Sequence, residues 1–185
     1  RSSQNRENFV VDTYQAGAGN ANNMNINEVL ANRANEILGA KRGEYKPIHP
    51  NDHVNMAQST NDVIPTAIRL GVVTELPKFL AAYNGLIAAL EQKGQEFDNV
   101  LKSGRTHIQD AMPIRLGQEF TAYAGTLRRC VKRIEQAADY LRDLGIGGSA
   151  VGTGVNVEPE YPPLMVKELA ASSGVELREG KDRIQ

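Results

Sequence analysis

Two stretches of this chain repeat their apolar residues at alternating steps of three and four, and that rhythm limits the fold more than any other feature. In the first, Leu76, Leu80, Tyr83, Ile87, Leu90, Gly94 and Phe97 recur within a helix predicted over about residues 61–97. In the second, Leu116, Phe120, Tyr123, Leu127, Cys130, Ile134, Ala137, Leu141 and Leu144 recur over about residues 114–144. A mean period of about 3.5 is the seam of a left-handed helical bundle. At 1.5 Å per residue the second helix would be ~46 Å long. Little else in 185 residues is available to cover two such seams. The pattern therefore predicts an all-α, long-helix bundle fold whose partner helices come from further sequence or from other copies of the chain.

A shorter helix is predicted from Met24, where Ile26, Val29, Leu30, Ala34, Ile37 and Leu38 recur at helical spacing before Gly39. Another is predicted over about residues 160–172. Residues 1–23 read as irregular, and "GIGGSAVGTG", Gly145–Gly154, reads as a connector. Pro113 suits the first turn of the second long helix. No strand hairpin is predicted; "VVD" near the start and "VEL" near the end are candidate short strands.

Composition excludes several classes of function. A net charge of −1, with no block of Lys and Arg, gives no electrostatic footprint for nucleic acid or an anionic membrane. No apolar run approaches a membrane span, and the opening "RSSQNRENF" has no signal-peptide pattern. Cys130 is the only cysteine, which fits a reducing, cytoplasmic setting. The chain starts without Met and stops at "REGKDRIQ"; we read it as a fragment of something longer.

Gly-rich "GIGGSA" follows a helix, not a strand, so its G-x-G-x-x-A spacing does not predict a dinucleotide site. His49 and His53 lie four apart with Asp52 nearby, but Pro50 argues against one shared helical face, and no metal is predicted.

Three polar clusters carry the functional signal. "NNMNINE" (Asn22–Glu28), "HPNDHVNMAQSTND" (His49–Asp62) and "GRTHIQD" (Gly104–Asp110) are rich in amides and hydroxyls and poor in charge. Taken singly, each has a structural reading. Thr60 or Asn61 caps a helix, His107 is a satisfied turn histidine, and the asparagines start a helix. Taken together, each precedes a predicted helix. Helix N-termini favour negative charge, and fixed donors suit a carboxylate whose charge grows during a reaction.

The blocks "GAGNANNMNINEVLANRANEILG", "HPNDHVNMAQSTNDVIPTAIRL", "GRTHIQDAMPIRLGQEFTAY" and "GGSAVGTGVN" resemble those of the fumarase and aspartase superfamily, over about Thr13–Asn156. "DAMPIRLGQEF" and Ser59-Thr60 are closer to the aspartase pattern than to that of fumarases. The resemblance implies a homotetrameric helical bundle with active sites built from different subunits. It implies that residues 1–60 belong to an N-terminal helical domain carrying substrate-binding loops. Residues 61–185 then belong to an incomplete central long-helix domain.

By position it makes Asn20, Ser59, Thr60, Asn61, Thr106 and His107 substrate-binding, with Thr106 and His107 also in the catalytic set. His49, Asn51 and Asp52 match a secondary dicarboxylate site. Asn20 stands where many members have Thr. The implied reaction is anti elimination of ammonia from L-aspartate to give fumarate, with no metal or organic cofactor. Hydration of fumarate and a non-catalytic oligomeric relative are the alternatives. The family's base, a Ser on a "GSSxMPxKxN" loop, has no counterpart here, so this chain alone is expected to be inactive.

Overall fold

A computed structural model describes residues 6–15 and 17–184. Of the stretch expected to be irregular over 1–23, residues 1–5 and 16 lie outside the described residues. The chain forms two units, residues 1–70 with 142–185, and residues 71–141. The boundary at Leu70 falls inside a helix.

In the first unit, α1 (Asn20–Ile37) starts earlier than the apolar pattern predicts, directly after Gly19 in the left-handed region at φ 89°. A Cβ at Gly19 would lie 2.8 Å from Ile64 Cγ1, so only glycine fits both the turn and the approach. The expected apolar stripe does not face inward. Ile26, Leu30, Ile37 and Leu38 are exposed, whereas Asn23, Asn27, Ala31 and Asn35 are buried. Hydrogen bonding reverses the usual preference. The Asn35 side chain donates to Ile48 O and accepts from Ile48 N, both at 2.8 Å, as a strand neighbour would. Next comes a π-helical turn, Pro50–Val54, packed on α1.

The apolar core of this unit lies elsewhere. β3 (Asp143–Leu144) pairs in parallel with β4 (Arg178–Glu179), just beyond the "VEL" expected as a strand. Leu144, Ile146 and Val166 of α4 (Tyr161–Ser173) are buried there, against Val63, Tyr161, Met165, Leu169 and Leu177. Leu144, expected on a bundle seam, is thus a core residue of the first unit. Burying such a leucine contributes about 1.5–3 kcal/mol.

The second unit holds the rest of α2 (Thr60–Glu96), a hairpin of β1 (Leu101–Thr106) and β2 (Gln109–Arg115), and α3 (Leu116–Tyr140). Phe97 meets Phe120 with ring centroids 5.6 Å apart. Glu91 accepts from Arg128 Nε at 2.8 Å, and Tyr83, whose phenol is raised above its ordinary range by burial first, lies next to Cys130, the second cause. Those pairs run in opposite order along the two helices, so α2 and α3 pack antiparallel. Gly94 and Gly117 allow the closest approach: a Cβ at Gly117 would stand 2.2 Å from Gly94 O. On α3 the covered row is Phe120, Ala124, Leu127, Val131, Ile134 and Ala138; Tyr123 and Ala137 of the expected seam are exposed.

The hairpin was not predicted. No residue of its strands is buried, so they lack the alternation that burial of one face imposes. Pro113 pairs with Ser103 in β2 and does not open α3. A two-stranded ribbon has a free edge on each strand, where a missing N–H is tolerated.

Candidate functional site

The start of α2 is held by side chains as well as by its own backbone. Ser59 is the cap: its hydroxyl accepts from Asn61 N at 3.2 Å, satisfying one of the orphan N–H groups of a first turn. Asp62 answers in the other direction, its Oδ1 accepting from Ser59 N at 3.0 Å. Thr60 and Asn61, the caps expected from the sequence, are thereby left for other contacts. Asn61 Nδ2 donates to Ala150 O at 2.8 Å. Thr60 Oγ1 accepts from Asn23 Nδ2 at 3.2 Å.

Asp62 joins this turn to the glycine-rich connector. It is buried, and its Oδ2 accepts from Gly147 N at 3.1 Å and Ser149 N at 2.9 Å. Buried carboxylates persist when donors satisfy them, and Asp62 has three backbone N–H groups. Gly147, at φ 86°, abuts Pro162 so closely that a Cβ would lie 2.4 Å from its Cγ. The Tyr161 hydroxyl next to this cluster is pushed up to about 12, by burial first and then by the charge on Asp62. A small cleft of about 140 Å³ is lined by Asn61, Asp62, Thr66, Arg69, Ser149 and Arg183, among others.

The first unit therefore brings Ser59, Thr60 and Asn61 together at the start of α2, with Thr60 joined to α1 through Asn23; Asn20 is the exposed first residue of α1. Asn51 and Asp52 lie on the π-helical turn, and His49 caps it. His49 Nδ1 accepts from Asn51 N and Asp52 N, each at 3.2 Å, and His53 Nδ1 accepts from His49 N at 2.9 Å. Both imidazoles use Nδ1 as an acceptor in local turns. Among the described residues no cluster of three or more His, Cys, Asp or Glu could hold a metal ion.

Thr106 and His107 belong to the second unit. Thr106 pairs with Gln109 and closes a two-residue turn, His107-Ile108. Both turn residues have positive φ, 50° and 65°, the geometry of a type I′ hairpin that Asn-Gly usually supplies. A β-branched residue at such a φ is strained, and strain of this kind gathers at functional positions. Both His107 and Thr106 are exposed.

Asn23, Asn27, Asn55 and Asp62 lie inside the polar clusters but were not singled out by the sequence, and Ser149 and Tyr161 lie outside those clusters. The asparagines had a legible signal: Asn23, Asn27 and Asn35 share one helical face, which a search restricted to apolar periodicity ignores.

Comparison with known proteins now supplies a family. The family model described as "Lyase" matches residues 1–182. An aspartate ammonia-lyase of Bacillus subtilis (strain 168) is 53% identical over 169 residues, covering 91% of this chain and 36% of the relative. That of Escherichia coli (strain K12) is 48% identical over 177 residues, covering 96% and 37%. Among solved structures, a fumarate lyase:delta crystallin of Brucella melitensis superposes with a TM-score of 0.90 at 50% identity, covering 98% of this chain and 40% of that one. A class II fumarase of Schistosoma mansoni gives 0.88 at 34%, covering 98% and 41%. The chain thus spans well under half the length of the curated relatives it matches. With long helices, a polar cap at the start of α2 and a match over nearly its whole length, this chain belongs to the lyase family.

Proposed function

We propose that the full-length protein containing this chain is an aspartate ammonia-lyase, eliminating ammonia from L-aspartate to give fumarate. The observation that carries the reading is the built start of α2. Ser59, Thr60 and Asn61 stand at a helix N-terminus whose turn is fixed by Asp62 and by the amides of α1. Loss of the proton beside a carboxylate spreads charge onto that carboxylate. Hydroxyl and amide donors fixed at a helix N-terminus bind the more highly charged form better than the ground state, which lowers the barrier. Neither donor type titrates near neutral pH.

In this reading Asn20, Ser59, Thr60 and Asn61 bind the dicarboxylate from one subunit. Thr106 and His107 bind it from another, His107 orienting the substrate without abstracting the proton. The protein is a cytoplasmic homotetramer that needs no metal or organic cofactor. Its N-terminal domain includes residues 1–60 and its central bundle includes 61–185. His49, Asn51 and Asp52 form an accessory dicarboxylate site. The names of the relatives at 53% and 48% identity favour ammonia elimination; the fumarase likeness at 34% supplies the competing reaction. The test is fumarate absorbance with the full-length enzyme, given L-aspartate and, separately, L-malate. Turnover of aspartate is expected. Turnover of malate with none of aspartate overturns the assignment.

A further inference from the structure

A threonine hydroxyl carries one proton and two lone pairs, so what Thr60 offers a ligand depends on what its neighbour takes. Asn23 Nδ2 donates to Thr60 Oγ1 at 3.2 Å and to Asn55 Oδ1 at 3.3 Å. Asn27 Nδ2 donates into the same Asn55 oxygen at 3.0 Å. Asn55 presents its oxygen to two amide nitrogens, and Asn23 presents its nitrogen to Asn55 and Thr60 together. Asn23 and Asn27 are each only 4% exposed, whereas Asn55 and Thr60 are half-buried. The Thr60 oxygen is thereby committed as an acceptor toward α1, and its own proton points away from Asn23. A hydroxyl that already accepts a hydrogen bond is also a stronger donor.

We propose that Asn23 is a positioning residue that holds the Thr60 hydroxyl as a hydrogen-bond donor toward a bound dicarboxylate, with Asn27 and Asn55 fixing the orientation of its amide. The proposal rests on the reading of Thr60 as a substrate-binding group. The test is calorimetric binding of succinate, a saturated four-carbon dicarboxylate, to the full-length protein and its variants. Asn23→Leu is expected to weaken binding about tenfold, the loss that follows when one hydrogen bond to a charged group is no longer directed. Thr60→Val is expected to weaken it at least as much. The double variant should bind no worse than Thr60→Val alone, because both changes act through one hydroxyl. A general packing defect would instead multiply with the loss at Thr60. Should Asn23→Leu fail to assemble, Asn23→Ser enters the same cycle. Binding within about twofold of wild type in the Asn23 variant, or losses that multiply in the double variant, overturns the proposal. Absence of succinate binding by the wild-type protein overturns the functional reading itself, which separates the two failures.

Discussion

Asp62 is the only buried carboxylate among the described residues, and its three backbone donors come from two segments far apart in sequence. Removing it orphans all three N–H groups at once. Asp62→Ala should cost about 3 kcal/mol or more, since each orphaned buried N–H carries a penalty of about 1–3 kcal/mol, read by urea unfolding of the full-length protein. Asp62→Asn keeps an acceptor oxygen and should cost less. Tyr161 faces the same carboxylate, and its hydroxyl is buried without a hydrogen-bond partner. Because its pKa rises from 10 to about 12, the folded protein holds this proton more tightly than the unfolded chain does. The stability that results is present below pH 10 and is lost as pH rises toward 12. Tyr161→Phe should therefore flatten the alkaline limb of the Tm-against-pH curve and leave neutral stability within about 1 kcal/mol. None of this was legible in the residues alone. Asp62 reads as one more polar letter after "QST", and its value depends on Gly147 and Ser149, 85 and 87 positions away.

At the scale of elements, the two long helices were legible because each buries one face against the other, and burial is what writes periodicity into a sequence. α2 appears within a residue of its expected bounds. α3 ends at Tyr140, four residues before the expected Leu144, because Asp143 and Leu144 are recruited to a strand pair. α1 was found but its inward face was misassigned, since amide hydrogen bonds and not apolar burial select it. The hairpin was missed because exposed strands carry no alternation and its turn lacks glycine. Each exception yields a prediction. Ile108→Gly should relieve the positive φ and stabilise the protein by about 1 kcal/mol. Gly117→Ala should push α3 away from α2 and destabilise by about 1–3 kcal/mol, the cost of overpacking, both read by thermal or denaturant melts of the full-length protein.

For the whole molecule, family membership was readable from four short blocks, and the chain spans well under half the length of the curated relatives it matches. α2 carries a mark of a larger assembly. Besides the row packed on α3, Val72, Phe79 and Leu86 are 47–50% exposed and seven residues apart, the spacing of a second seam. In the proposed homotetramer this row meets another subunit, so Phe79→Glu with Leu86→Glu should dissociate the full-length protein, as seen by light scattering. In the proposed enzyme, where His107 binds substrate, the hairpin turn carries a different implication. A reverse turn only two residues long gives the His107 backbone little slack, so its main-chain freedom is already lost when the polypeptide folds. A ligand arriving there need not freeze it again. Lengthening the turn with glycines would remove no contact, yet should loosen capture through a less favourable calorimetric entropy.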